Sequence, residues 1–175
     1  MKARHHQAVP VAVDPTQLLS ADSRAQLDAW IAKYPADRKR SAVLAGLRIA
    51  QKQNQGSLSD ELIAAVAAYL AIPATQAYEV ATFYSLFHIG PCGRHKVSVC
   101  TNISCWLNGG EQLLEHVEHK LGIHAGESTP DGRIHLIQEE ECLAGCVRAP
   151  MMWVDGEYHE HLTTAKVDAI LDGLK

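Results

Sequence analysis

The sequence predicts a mixed α/β fold of the α+β kind, in which an N-terminal helical bundle precedes a small sheet with flanking helices. Apolar residues recur at helical spacing as far as about Phe87. After Gly90 the pattern changes, because Val97 and Val99 alternate with polar neighbours as in a strand. Asp155-Gly156 lies between two short extended runs, which is typical of a tight β-hairpin. We therefore expect a flexible N-terminus over residues 1–15, a helical bundle over 16–90 and a second domain over 91–175.

The first two helices are predicted from apolar residues that repeat every three or four positions. The first stripe consists of Leu27, Trp30, Ile31 and Tyr34. The second lies in a run from about Asp37 to Asn54 and consists of Val43, Leu44, Leu47 and Ala50. A stripe at this spacing forms one face of an α-helix, so both helices should turn it inward.

Two further helices are predicted from the residues at their starts. Ser57 or Ser59 can accept a hydrogen bond from the N–H groups that open the third helix. Pro73 fits the first turn of the fourth, which should run to about Phe87. The residues expected to face inward are Leu62, Ile63, Val66 and Leu70 in the third helix and Val80, Phe83, Tyr84 and Phe87 in the fourth. Four short helices predict a bundle.

The second half of the chain is predicted to mix strands with helices. A strand that ends at Cys100 is followed by a helix over about Gly110–Leu121 and a strand over Ile134–Ile137. Hairpin strands then flank Asp155-Gly156, and Thr163 caps a last helix. Because one cysteine pair follows the first strand and another follows the second, both cysteine loops can meet at one end of the sheet.

Four of the five cysteines form two close pairs, Cys100-Thr101-Asn102-Ile103-Ser104-Cys105 and Cys142-Leu143-Ala144-Gly145-Cys146. The odd cysteine count and the lack of a long apolar stretch in Met1–Asp14 predict a reducing cytoplasmic location, where close pairs more often bind metal than form disulfides. Thiolate sulfur selects zinc, copper(I) or an iron-sulfur cluster over magnesium or calcium. The spacing alone leaves a four-thiolate zinc site and a [2Fe-2S] cluster open.

Charge, the length of apolar segments and the lack of a glycine-rich loop argue against several classes of function. The net charge is -4 and lysine and arginine form no long run, which argues against nucleic-acid and anionic-membrane surfaces. No segment approaches the roughly 18 consecutive apolar residues of a membrane span, so we expect no direct membrane insertion. The chain also has no glycine-rich dinucleotide or phosphate loop after a strand. We therefore expect that it does not bind NADH itself.

Several stretches of the sequence resemble one known family. They are Tyr78-Glu79-Val80-Ala81-Thr82-Phe83-Tyr84, Gly93-Arg94-His95, the first cysteine pair, Asp131-Gly132-Arg133, and Glu141-Cys142 through Cys146 to Ala149-Pro150-Met151-Met152. The chain resembles the thioredoxin-like [2Fe-2S] ferredoxin family, and within it the 24-kDa-type (E) subunits of bacterial NADH:quinone oxidoreductase, respiratory complex I. The resemblance runs from about residue 20 to the C-terminus and includes the helical part. It implies a thioredoxin-like fold for residues 91–175.

The resemblance implies an electron-transfer subunit that is not catalytic on its own. Cys100, Cys105, Cys142 and Cys146 occupy the four positions that ligate one [2Fe-2S] cluster in the family. Such a cluster exchanges single electrons with the flavin of a partner subunit, which binds FMN and NADH, and further iron-sulfur subunits belong to the same complex. The chain would then be cytoplasmic and peripheral to the inner membrane through the complex.

Two alternatives stay open. Related [2Fe-2S] subunits serve NAD-dependent formate dehydrogenases and bidirectional hydrogenases, which the resemblance separates poorly from complex I. A zinc-stapled interaction module would use the same four cysteines without redox chemistry. Two smaller expectations concern the second cysteine loop. Pro150 stands where thioredoxin-like folds often hold a cis proline. The run Glu139–Glu141 would either keep the potential of a cluster low or form a solvated strand end or docking surface.

Overall fold

The structure is a computed structural model that describes residue 14, residues 18–138 and residues 142–175. Two expectations therefore lie outside the described residues: the flexible N-terminus over residues 1–15, apart from Asp14, and the acidic run Glu139–Glu141. The chain divides into two compact units between Gly90 and Pro91. Helices together with a four-stranded sheet confirm the predicted fold class. In the part of the chain that is described, no helix is long and apolar enough to cross a membrane.

The N-terminal unit is helical in its described part. Its elements are α1 (Ala21–Ile31), a 3-10 helix (Ala36–Ala42), α2 (Val43–Gln53), α3 (Asp60–Tyr69) and α4 (Ala74–Phe83). The Ser20 hydroxyl accepts the Ser23 N–H at 3.1 Å at the start of α1. At the start of α3 the Ser59 hydroxyl accepts the Leu62 N–H at 3.3 Å. Each cap satisfies an N–H group that the first turn of a helix leaves open, so Ser59 is the cap of the two predicted serines.

The core of this unit draws on all four α-helices. Its buried residues include Leu27 from α1, Leu47 and Ala50 from α2, Ile63, Ala65 and Val66 from α3, and Ala77 and Ala81 from α4. Burying an aliphatic side chain of leucine or isoleucine size stabilises a fold by about 1.5–3 kcal/mol. The inward stripes of the predicted helices are therefore the source of the packing in this unit.

Several details of the predicted helices are wrong. In the first helix Trp30, expected to face inward, is 40% exposed. The second helix does not begin near Asp37, because Arg38 has non-helical dihedral angles (φ -117°, ψ 26°) and 3-10 turns extend to Ala42. The fourth helix ends at Phe83, which is 79% exposed and meets the Tyr84 ring edge-on at 4.9 Å between centroids. Phe83 and Tyr84 therefore do not belong to the core. The residues of α4 that do are small alanines, which let the helix approach its neighbours closely.

The C-terminal unit has a mixed sheet. Its elements are β1 (His95–Val99), α5 (Ile103–Leu107), α6 (Gly110–Leu121), β2 (Ile134–Ile137), a 3-10 turn (Cys146–Arg148), β3 (Met152–Val154), β4 (Glu157–His159) and α7 (Thr164–Gly173). The strands lie in the order β2-β1-β3-β4, with β1 parallel to β2 and the other two pairs antiparallel. The bounds of α6 and β2 are those predicted, and the Thr163 hydroxyl caps α7 by accepting the Lys166 N–H at 3.3 Å.

One face of this sheet is covered by α6 and α7. Val97 and Val99 share that face because side chains two residues apart on a strand point the same way. They form one buried cluster with Leu113 and Val117 of α6, Leu136 of β2, Met152 of β3, and Val167 and Leu171 of α7. This cluster packs both helices against the sheet.

Hydrogen bonds of His95 hold the start of β1. Its Nδ1 lies 2.6 Å from Asp155 Oδ2, and its Nε2 lies 2.8 Å from the backbone oxygen of Lys175. The bond with Asp155 and then the bond with Lys175 raise the pKa of His95 above its usual range. The folded state therefore binds this proton more tightly than the unfolded chain does. The resulting stability is complete below the unfolded pKa of about 6.5 and is lost as the pH rises through the folded pKa.

We predict that His95→Gln reduces this pH dependence. Between pH 5.5 and pH 8.5 the free energy of unfolding of the wild-type chain should fall by about 1 kcal/mol more than that of the variant, because one charge-assisted hydrogen bond at a partly exposed site is lost. Urea unfolding at the two pH values measures the difference. His119→Gln, at an exposed position of α6, is the control and should behave as wild type. An unchanged pH dependence in His95→Gln would contradict the prediction.

Candidate metal centre

The carboxyl ends of β1 and β2 lie at one edge of the sheet because the two strands are parallel. Cys100 follows β1 directly, and Cys142 comes five residues after Ile137, where β2 ends. Since β3 is antiparallel to β1, it starts at the same edge, and the Cys100 N–H donates to the Met151 oxygen there at 3.1 Å. The sheet thus brings both cysteine loops to one place.

The first cysteine pair is buried. Cys100 and Cys105 are 1% and 2% exposed and pack against Met151. Burial, and after it the hydrogen bond between the two cysteines, raises the pKa of Cys105 to about 11. Without a bound metal this thiol is protonated at neutral pH. Binding as a thiolate must therefore release its proton.

The second cysteine pair is exposed. The sulfurs of Cys142 and Cys146 lie 3.3 Å apart, and this contact raises the pKa of Cys146. The Ala144 N–H points at the Cys142 sulfur at 3.4 Å, with Ala144 itself in the left-handed region (φ 59°). Backbone N–H groups aimed at sulfur help to set the potential of iron-sulfur sites. Ala144 and Gly145 are small residues, which permits this approach.

Two interactions link the first cysteine loop to the second. The Ser104 side chain of the first loop hydrogen-bonds Cys146 of the second, and Cys105 interacts electrostatically with Cys142. None of these cysteines is in a disulfide. Among the described residues, no three or more His, Cys, Asp or Glu side chains are grouped so that they could hold a single metal ion. The four sulfurs form two pairs, one from each loop.

Two glycines let the chain close around the cysteines. A Cβ on Gly110, the first residue of α6, would lie 2.7 Å from the Cys100 oxygen and 2.9 Å from the Cys105 backbone. A Cβ on Gly145 would meet the Met151 side chain. Sequence reasoning missed the role of Gly110, although two glycines in a row at a helix start were a visible signal. Four thiols, small loop residues and this close approach fit a [2Fe-2S] cluster, which takes two thiolates per iron.

Met151 contacts both cysteines of the first pair through its backbone. Its N–H hydrogen-bonds the Cys105 sulfur, and its oxygen accepts the Cys100 N–H. The preceding Ala149–Pro150 peptide bond is cis, which confirms the expectation for Pro150. Because the backbone makes these contacts, they do not depend on the identity of the side chain, and the sequence pattern does not predict them.

An apolar surface lies next to the exposed cysteine pair. Ile103, Trp106 and Leu107 of α5 are 78%, 53% and 70% exposed, and Val147, which follows Cys146, is 91% exposed. We call these four residues the apolar patch. The 3-10 turn that contains Val147 contacts α5. The Trp106 Nε1–H donates to the Glu111 carboxylate at 2.9 Å. Because this side chain is 53% exposed, it does not belong to the core. Clustered exposed apolar side chains are typical of surfaces that bind another protein.

Comparison with known families decides between the metals that the spacing leaves open. Residues 27–175 match the thioredoxin-like [2Fe-2S] ferredoxin family. The chain belongs to this family. Its cofactor is one [2Fe-2S] cluster. Both the family resemblance and the cofactor expected from it are thereby confirmed, and the thioredoxin-like description of the C-terminal sheet holds.

This thioredoxin-like ferredoxin chain is similar to curated proteins over most of their length. It is 45% identical over 145 residues to the E subunit of NADH-quinone oxidoreductase from Rickettsia bellii (strain RML369-C), and the match covers 83% of this chain and 86% of the relative. It is 45% identical over 152 residues to the E 2 subunit of NADH-quinone oxidoreductase from Rhizobium meliloti (strain 1021), and the match covers 87% of this chain and 88% of the relative.

The fold is also similar to solved structures. The air-oxidized NAD+-reducing [NiFe]-hydrogenase matches with a TM-score of 0.64 at 22% identity over 74% of this chain, and its H2-reduced state matches with a TM-score of 0.62 at 23% identity. The matched region spans only 22% of the hydrogenase chain. At this level of identity the likeness concerns the fold alone.

Proposed function

We propose that the chain is the E-type electron-transfer subunit of an NADH:quinone oxidoreductase. The observation that carries the proposal is the convergence of four thiols at one sheet edge, in a chain 45% identical to two such subunits over most of their length. When bound, a [2Fe-2S] cluster accepts and releases one electron at a time. The chain would act only within its enzyme, as a redox subunit, and would transform no substrate alone.

We propose Cys100, Cys105, Cys142 and Cys146 as the cluster ligands. Their pairing and the N–H groups near their sulfurs support this set. The fifth cysteine, Cys92, precedes β1, whereas Cys100 follows it. A five-residue strand is about 16 Å long, so Cys92 lies at the far end of β1 from the proposed ligands.

We further propose that the two parts of the chain have different roles. Residues 91–175 would form the cluster-holding domain and residues 16–90 a helical accessory domain. The division of the chain between Gly90 and Pro91 supports the boundary between these two parts. All five cysteines also lie after this point, so the first part of the chain has no thiol to offer as a ligand.

The proposed partner is a flavin- and NADH-binding subunit, which would hold both FMN and NADH, and further iron-sulfur subunits would complete the complex. Electrons pass between proteins only when their redox centres come close. Here the exposed thiols and the apolar patch lie together, so a docked subunit would cover the patch and approach the cluster. Through this complex the chain would be cytoplasmic and peripheral to the inner membrane.

A second candidate function keeps the cluster and changes the enzyme. This candidate is the equivalent subunit of a bidirectional hydrogenase or of an NAD-dependent formate dehydrogenase, and the fold is compatible with it because a chain of an NAD+-reducing [NiFe]-hydrogenase has a similar fold. Identity of 45% to quinone oxidoreductase subunits, against 22% to the hydrogenase chain, favours the first candidate. The neighbouring genes separate the two, since genes for membrane subunits accompany a respiratory enzyme.

Spectroscopy of the chain, purified without oxygen from iron-replete cells, tests the proposal. We expect visible absorption of a [2Fe-2S] cluster, an EPR signal after dithionite reduction, and equal amounts of iron and acid-labile sulfide. NADH should reduce the cluster only when the flavin-binding subunit is added, because the sequence of this chain has no glycine-rich dinucleotide loop after a strand. Zinc without sulfide would instead support the zinc-stapled interaction module and reject the redox function.

A further inference from the structure

Backbone hydrogen bonds hold the loop that contains the exposed cysteine pair. In the 3-10 turn that begins at Cys146, the Arg148 N–H donates to the Gly145 oxygen at 2.9 Å. The Arg148 oxygen accepts the His161 N–H at 2.9 Å, and the Pro150 oxygen accepts the Leu162 N–H at 3.0 Å. The chain that follows Cys146 is therefore fastened to residues 161 and 162 at Arg148 and at Pro150.

An ion pair joins the same two segments. One guanidinium nitrogen of Arg148 lies 2.7 Å and 2.8 Å from the two carboxylate oxygens of Glu160. The side chains are 57% and 32% exposed, and exposed pairs typically add only about 0–1 kcal/mol to stability. The pair is therefore expected to contribute little to the stability of the fold. Its position relative to Cys146 is more informative.

The backbone of Arg148 lies close to that of the proposed ligand Cys146. Arg148 follows Cys146 by two residues in the 3-10 turn, which is about 4 Å along the axis of such a turn. Charges interact across about 8 Å at physiological salt before ionic screening dominates. Adding an electron to a cluster is favoured by positive charge nearby and disfavoured by negative charge. Because Glu160 neutralises Arg148, neither charge acts alone.

We propose that Arg148 and Glu160 are positioning residues that set the reduction potential at the exposed cysteine pair, with Glu160 masking the positive charge of Arg148. This inference rests on the proposed function, since it requires the cluster. It extends that function by naming two residues that are not ligands and that act through charge and through the placement of the Cys146 turn.

Single and double substitutions test the proposal. Glu160→Gln leaves the Arg148 charge unmasked and should raise the midpoint potential. Arg148→Gln leaves the Glu160 charge alone and should lower it. The midpoint potential of the double variant Arg148→Gln/Glu160→Gln should be close to that of the wild type. Arg148→Lys keeps the positive charge, so its midpoint potential should also be close to that of the wild type. EPR-monitored redox titration at one fixed pH gives the potential of each variant.

A matched control removes the same charge elsewhere. Asp172→Asn breaks the ion pair with Lys120, 2.9 Å away. Lys120 is ten residues from Gly110 on α6, about 15 Å along the helix from the cysteine edge. This variant should leave the potential unchanged. Iron and sulfide per chain are measured for every variant, because a purely structural role would lower cluster content without shifts of opposite sign.

The outcomes separate the two proposals. Shifts of opposite sign in the single variants, cancelled in the double variant, support the role of the pair. Shifts of the same sign, or no shift, in variants that hold a full cluster overturn it and leave the proposed function intact. A wild-type chain without iron and sulfide overturns the proposed function and this inference with it.

Discussion

Serine at Cys142 or at Cys146 is expected to abolish the iron-sulfur spectrum of the chain without unfolding it. Both side chains are exposed, so no core packing is lost when either is replaced. Soft thiolates suit iron-sulfur clusters, and a hydroxyl is a poor substitute. Loss of a residue that only orients a ligand typically costs 10–100-fold in metal affinity, so loss of a ligand should reduce acid-labile sulfide per chain by at least about tenfold.

The other three cysteines provide the comparison. Cys92→Ser, at the opposite end of β1, should keep the full iron and sulfide content. Serine at Cys100 or Cys105 should lose the cluster and also destabilise the fold, by about 1–3 kcal/mol, because a hydroxyl replaces a buried thiol. Circular dichroism separates the two effects. A full sulfide content in Cys142→Ser or in Cys146→Ser would contradict the proposed ligand set.

Elements with a local signal at each end are predictable from the sequence. The apolar stripe of α6 lies between Gly109-Gly110 and Gly122, and the helix has the predicted bounds Gly110–Leu121. The hairpin follows from Asp155-Gly156, because both residues have positive φ (50° and 106°) as this tight turn requires. In these cases short-range sterics and capping decide the outcome, and both are visible in neighbouring residues.

Elements decided by packing at longer range are not predictable in this way. Phe83 continues the apolar spacing of α4 and yet is 79% exposed, because the helix meets its neighbours through Ala77 and Ala81. In the five-residue helix α5, Ile103, Trp106 and Leu107 have the spacing of an apolar stripe and yet face solvent in the apolar patch. The sequence shows which residues are apolar. It does not show which of them a neighbouring element will bury.

The cysteine site is likewise only partly predictable from the sequence. The spacing of the four cysteines identifies the thiols, and the parallel pairing of β1 and β2 explains why their loops meet. The spacing does not tell that one pair is buried and the other exposed, since that depends on where α5 and Met151 pack. It also leaves out the backbone contacts of Met151 and the space at Gly110, because neither is a property of a residue's own side chain.

Gly110→Ala is expected to damage both the fold and the cysteine site. The added methyl would lie 2.7 Å from the Cys100 oxygen and 2.9 Å from Cys105 backbone atoms, and backbone held by a sheet and a helix cannot move aside cheaply. Overpacking of this kind costs about 1–3 kcal/mol. Relief of the clash must push α6 away from the first cysteine loop. We therefore expect lower stability together with a several-fold loss of iron and sulfide.

Two other glycines test this reasoning because their surroundings differ. Gly173 in α7 has no atom within 4 Å of an added Cβ, so Gly173→Ala should keep the cluster and stabilise the chain by up to about 1 kcal/mol through helix propensity. At Gly145 the clash is with the flexible end of the Met151 side chain, which can rotate, so Gly145→Ala should fall between the two. Urea unfolding and sulfide analysis rank the three variants. Equal behaviour of Gly110→Ala and Gly173→Ala would mean that α6 does not constrain the cysteine loop, since only rigid backbone contact distinguishes these two positions.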